Sequence, residues 1–141
     1  MTFSRRGEKA AMDIHFLTIP GAPPPPPTAA YCHVVRAGDF LFVTGQLGVD
    51  PQNNALVAGG TEEQARQIMR NLEVVLRGAG TTIDRTVMAR IYLVNFASDY
   101  PAVNKVYASY FRDGAYPART TVGVTNLALG AMVEIDLIVA L

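Results

Sequence analysis

The chain has 141 residues, 50% of them hydrophobic and 17% charged, a composition that requires a packed core and is incompatible with general disorder. Twelve basic residues balance twelve acidic ones and no basic stripe is visible, which argues against a nucleic-acid binder that lives on phosphate contacts. No apolar run approaches the ~20 residues needed to cross a bilayer, and Cys32, the single cysteine, excludes an internal disulfide and suits a reducing compartment, so a soluble, cytoplasmic protein is expected.

Size predicts one domain, over residues 13–141, preceded by a flexible polar extension at 1–12. Ser4-Arg5-Arg6 has the look of a twin-arginine signal, but Gly7-Glu8-Lys9 follows where an apolar stretch would be required. Residues 13–19 predict a short first strand. Five consecutive prolines at 23–27 favour polyproline II, either as a docking motif for a proline-recognition domain or as a stiff connection between strands. Residues 31–36 and 40–47 read as a hairpin around Ala37-Gly38-Asp39, followed by a long loop with a turn cluster at 50–54. Thr61 is placed to cap a helix with Gln64 at the capping-box position, and Ala65, Ile68, Met69, Leu72, Val75, Leu76 and Ala79 recur on one helical face. A strand is predicted at 86–94. A second helix should start at Ser98, with Pro101 in its first turn and Tyr100, Val103, Tyr107 and Tyr110 facing inward.

The last two strands, at 117–124 and 130–141, alternate with period two and are read as neighbours. Val133, Ile135, Leu137 and Val139 share one face of the final strand, which leaves Glu134 and Asp136 on the other; Arg119 and Thr121 share a face of the preceding one. If the two polar faces coincide, a guanidinium lies beside a carboxylate on rigid backbone, either as a cross-strand ion pair or as an anion-and-water site. The order βββαβαββ predicts an α+β layer, a mixed sheet with two helices on one face.

Other chemistries find no support in the sequence. Two histidines and one cysteine cannot complete a tetrahedral metal site. Cys32 and His33, consecutive in a predicted strand, would point to opposite faces. Lys9 and Lys105, the two lysines, suggest no Schiff base, and Gly59-Gly60 lacks a phosphate-loop pattern. No cofactor is implied.

Pro117-Ala118-Arg119-Thr120-Thr121-Val122 followed by Val133-Glu134-Ile135-Asp136-Leu137-Ile138-Val139-Ala140 resembles the C-terminal signature of the reactive intermediate deaminase (YjgF-like) family. Phe40-Leu41-Phe42-Val43-Thr44-Gly45-Gln46 resembles its Val-Ser-Gly-Gln strand, and the stretch with Glu63-Gln64-Ala65-Arg66-Gln67 and Asn71-Leu72 its first helix. The resemblance covers residues 31–141 and implies a chorismate-mutase-like fold, a homotrimer with sites at the subunit boundaries, and hydrolysis of 2-imino or 2-enamino acids to 2-oxo acids. It implies that Arg119 binds the substrate carboxylate and Glu134 activates water, both from one subunit, with Tyr31, Thr44, Gly45, Asn104 and Thr121 lining the site. From the residues alone Tyr31 can equally be core packing, Thr44 a plain strand residue and Asn104 a solvated helix position. Thr121 stands where many members have cysteine, Ala29-Ala30-Tyr31-Cys32-His33 replaces Gly-Pro-Tyr-Ser-Gln, and Gly123 replaces an acidic residue. These changes leave substrate preference open and keep a second class in play, a non-catalytic small-carboxylate-binding or chaperone-like module. Endoribonuclease activity, the third possibility, fits poorly with zero net charge.

Overall fold

Period-two stretches become strands β1 (Ile14–Leu17), β2 (Val34–Ala37), β3 (Phe40–Gln46), β4 (Val49–Asp50), β5 (Ala55–Leu56), β6 (Thr86–Leu93), β7 (Ala118–Gly123) and β8 (Val133–Ala140) in the computed structural model, which describes residues 10–141. Helices α1 (Thr61–Gly78) and α2 (Phe96–Ala108) carry the longer period. Six strands form one sheet in the order β1-β2-β3-β8-β6-β7, antiparallel except for β6 with β7. Both helices pack on one face and against each other, as expected for an α+β layer. Residues 1–9 of the expected extension lie outside the described residues. Among those described, no helix is long and apolar enough to cross a membrane.

The core follows the sequence pattern closely. Ala65, Ile68, Met69, Leu72, Val75 and Leu76 of α1 are at most 1% exposed, against Leu41 of β3, Ile91 of β6 and Ile135 and Leu137 of β8. Each such aliphatic side chain contributes roughly 1.5–3 kcal/mol by leaving water. The other face of the sheet is open, and Phe16, Phe40 and Phe42 stand on it 74%, 44% and 46% exposed.

Four local expectations are corrected. Thr61 does not cap α1: the chain enters through Gly59 and Gly60 at φ 106° and 85°, a left-handed path that L side chains rarely adopt. The Thr61 hydroxyl donates instead to Asp99 Oδ2 at 2.7 Å and Gln64 Oε1 accepts the Met132 N–H at 2.9 Å, so tertiary partners claim both capping groups. Helix α2 begins at Phe96, which moves Pro101 into its second turn. The loop after β3 folds into the β4–β5 hairpin because Asn71, buried on α1, donates to the Val49 carbonyl at 2.8 Å. Tyr31, Cys32 and His33 precede β2 as irregular backbone rather than forming its start.

The largest correction concerns topology. β7 and β8 are not neighbours, because β6 lies between them. The β6–α2–β7 crossover keeps β6 and β7 parallel, and β8 then pairs antiparallel with the free edges of both β3 and β6.

Candidate active site

Register decides where each charged side chain points. Arg119 pairs with Ala89, which is fully buried under the helices, so Arg119 and Thr121 face the helix side. Glu134 pairs with Tyr92 and alternates with buried Val133 and Ile135, so it faces the open side. The expected meeting of Arg119 and Glu134 on one face of one chain does not occur.

On the helix side, Arg119 Nη1 donates to Asn104 Oδ1 at 2.7 Å and Nη2 to the Tyr100 hydroxyl at 2.8 Å. Its guanidinium carbon lies 5.0 Å from the Tyr107 ring centroid and 5.7 Å from that of Tyr100, both within cation–π range. Tyr100, Asn104 and Tyr107 are spaced i, i+4, i+7 and therefore form one stripe of α2. That spacing was the signal available in the sequence for the two tyrosines as holders of Arg119. Among the described residues no carboxylate lies within ion-pair distance of Arg119, so its charge is held only by an amide, a hydroxyl and two ring faces. An open cavity of about 440 Å³ lies beside it, bounded by Asn104, Tyr107, Tyr116 and Pro117. The Tyr107 hydroxyl and Thr121 Oγ1 are buried without a hydrogen-bond partner. Burial pushes the Tyr107 phenol up to about 12, and the adjacent Arg119 charge opposes the shift.

On the open side, Glu134 shares a second cavity of about 560 Å³ with Tyr31, Thr44, Gly45, Leu129 and the prolines at 23–27. Thr44 and Gly45 sit where the β3–β8 register shifts between Val43 and Gln46, a bulge that re-aims backbone next to the carboxylate. A Cβ at position 45 would lie 2.8 Å from Glu134 Cδ and Oε2, so glycine is what lets the carboxylate lie along β3. The Glu134 carboxylate makes no hydrogen bond among the described residues. Burial first, and the negative charge of Asp136 second, hold its pKa above the ordinary glutamate value. Asp136 itself accepts from Arg90 Nε at 2.8 Å and the Tyr92 hydroxyl at 3.1 Å, which leaves Glu134 as the unpaired carboxylate of the strand.

The structure thus gathers Tyr31, Thr44, Gly45 and Glu134 in one cluster and Asn104 and Arg119 in another, with Thr121 on the same face of β7 as Arg119 but off the cavity lining. Among the described residues no group of three or more His, Cys, Asp or Glu side chains converges to hold a metal. The set can bind a carboxylate at a preorganised cation and position water at a basic carboxylate.

The profile of the family described as Endoribonuclease L-PSP matches residues 22–141. A RutC family protein of Saccharolobus solfataricus is 39% identical over 114 residues, which are 81% of this chain and 89% of that protein. A 2-iminobutanoate/2-iminopropanoate deaminase of Dermatophagoides farinae is 34% identical over 117 residues, 83% of this chain and 90% of its own. The crystal structure of a Rid-family protein of unknown function from Yersinia pestis superposes with a TM-score of 0.85 at 33% identity, covering 92% of this chain and all of that one (100%). With two helices on one face of a mixed sheet, the fold is the α+β chorismate-mutase-like one, and the chain belongs to the reactive intermediate deaminase (RidA/YjgF-like) family.

Proposed function

We propose that this protein hydrolyses 2-imino and 2-enamino acids to 2-oxo acids and ammonia, as a cytoplasmic homotrimer whose sites form between copies. The observation that carries the reading is a pair of uncompensated charges on rigid strands: Arg119 with neutral holders only, and Glu134 half-buried with no hydrogen bond to its carboxylate. A 2-imino acid supplies what both lack. Its carboxylate suits the fork of Arg119, and its imine carbon needs no stronger nucleophile than water. The name of the Dermatophagoides farinae relative supports the same substrate class.

Because the two charges face opposite sides of the sheet, one site that uses both draws Arg119 from one copy and Glu134 from the next. The open face supports such an assembly, since Phe16, Phe40 and Phe42 would otherwise stay in water. Closed symmetry is the usual outcome, and family resemblance makes the ring a trimer. Arg119 also lies on β7, an edge strand with one side unpaired, where a neighbour can approach.

In this reading Arg119 donates two parallel hydrogen bonds to the substrate carboxylate. Glu134 takes a proton from water as the water oxygen bonds to C2 of the protonated imine, and the C=N π electrons pass to nitrogen, giving a neutral carbinolamine. Glu134 then returns that proton to nitrogen and accepts the hydroxyl proton as C–N breaks, leaving the 2-oxo acid; the released ammonia takes that proton away as ammonium and restores the Glu134 carboxylate. A carboxylate whose pKa lies above the ordinary value can do both.

The decay of 2-iminopropanoate, generated in situ by an amino-acid oxidase, tests the activity. The parent should accelerate it, and Arg119→Ala should lower kcat/KM by at least ~100-fold. No acceleration by folded protein, with a stable 2-oxo acid still bound, would replace the deaminase by a carboxylate-binding module. Co-expression of Arg119→Ala with Glu134→Gln chains tests the shared site, since random closed assembly restores about a quarter of parental activity if each site spans two copies. Two inactive variants that stay inactive together would place both residues in one copy's site.

A further inference from the structure

The Glu134 cavity is larger than a small imine requires, and most of its wall is apolar. At about 560 Å³ it falls within the roughly 300–1,000 Å³ typical of sites for drug-sized ligands. The heavy atoms of 2-iminopropanoate would occupy a small part of it. Away from Glu134 most of the wall is apolar, formed by the prolines at 23–27, Leu47, Val49, Ala128 and Leu129, with Tyr31, His33, Thr44, Gln46 and Asn54 as its uncharged polar members. Glu134 is the one carboxylate on the lining, and neither lysine nor arginine of the same chain reaches it.

The proline wall is built in advance of any ligand. Ile19 and Ala22, just before it, are 6% exposed. Ile19 lies against Gly78 of α1 so closely that a Cβ there would come within 2.4 Å of Ile19 Cγ2. Buried His33 ties the same segment down at two points: its Nδ1 accepts the Ile19 N–H at 2.8 Å, and its Nε2 donates to the Pro23 carbonyl at 2.8 Å. Four more prolines between the Pro23 anchor and Tyr31 have fixed φ and little entropy to lose on binding.

Leu129 closes the opposite side at a conformational cost. Its φ of 61° and ψ of 15° lie in the left-handed region, and the residue is 68% exposed. A solvent turn gains nothing from leucine there, and glycine would be easier. Strain of this kind is retained where it serves a ligand clamp.

We infer that the strap at residues 23–27 and Leu129 form a side-chain pocket selecting 2-imino acids with bulky apolar side chains, branched aliphatic or aromatic, over those with small or charged ones. The reaction class rests on the deaminase reading; the selection rests on the walls alone.

Imines generated by an amino-acid oxidase from alanine, leucine and phenylalanine provide the test, with kcat/KM compared across the series. The leucine- and phenylalanine-derived imines should exceed the alanine-derived one by about 10-fold or more, the range expected for added methylene groups in a hydrophobic pocket. Leu129→Gly relaxes the backbone while removing the wall, so the fold is kept and the large-to-small ratio should fall at least about 3-fold. In parallel, calorimetric binding of pyruvate, 4-methyl-2-oxopentanoate and phenylpyruvate should show tighter binding for the two larger acids. Turnover of all imines without size preference overturns the pocket and leaves the deaminase standing. Absence of turnover with preferential binding of the larger 2-oxo acids does the reverse, and a ratio unchanged in Leu129→Gly removes Leu129 from the pocket.

Discussion

The two cavities solve the problem of holding an unpaired charge in contrasting ways. On the helix side, Arg119 is braced by Asn104, Tyr100 and the ring face of Tyr107, none of which cancels its charge. On the open side, Glu134 is braced by nothing polar and is kept in place by burial and by the absence of a side chain at Gly45. The cation costs little to hold, because a guanidinium is weakly hydrated and ring faces and amide oxygens replace its water. The carboxylate is held at a cost that appears as its raised pKa. Under the proposed roles, the charge that binds the substrate carboxylate is pre-aimed and the charge that moves protons is left poised.

That contrast can be broken most severely at the cation. Arg119→Lys keeps the charge but loses the planar fork and the stacking on Tyr107, so kcat/KM for imine decay should fall by about 10- to 100-fold while the melting temperature stays close to the parent's. Near-parental activity would show that only the charge matters and that the brace from α2 is incidental. Gly45→Ala strikes the other cavity. Its Cβ would come within 2.8 Å of Glu134 Cδ and Oε2, the far end of a flexible side chain, so the carboxylate moves while the sheet stays. We expect kcat to drop by about 10-fold with KM little changed, because a misplaced acid/base affects the chemical step more than carboxylate binding. A fall in thermal stability without a fall in kcat would mean that Gly45 serves the fold alone.

The smallest expected effect is one of sign. Glu134 in the folded chain holds its proton more tightly than in the unfolded chain, so the native state binds more protons between the ordinary carboxylate range and the raised value, and stability falls as pH rises through that window. Glu134→Gln removes this loss. The variant should melt higher than the parent above the window, and the gain should disappear below the ordinary carboxylate range. Scanning calorimetry across pH reads the difference directly. A variant that melts lower at neutral pH would mean that a cation from another copy already compensates Glu134 before any substrate arrives.

How much of this was legible in the residues differs between layers. The apolar face of α1 and the buried stripe of β8 appear as read, because burial of one face is a local periodic property that a chain states by itself. The start of α1 misled for an identifiable reason: Thr61 and Gln64 have the right chemistry for a capping box, and Asp99 and the Met132 N–H outbid them. The tyrosines that brace Arg119 were legible as inward residues at helical spacing but not as ligands of a cation, since nothing local says which strand lies beneath α2. Asn71 and the β4–β5 hairpin it holds carried no hairpin signal beyond a turn cluster.

By itself the sequence determined the α+β class, the two-faced character of β8, the stiffness of the proline strap and the chemical types available to the site, all of which follow from side-chain period, backbone restriction and composition. The tertiary structure alone decided that β6 separates β7 from β8 and that Arg119 and Glu134 look out from opposite faces. Each strand's alternation fixes its two faces relative to each other, but only hydrogen-bonded pairing with a third strand fixes which face is which.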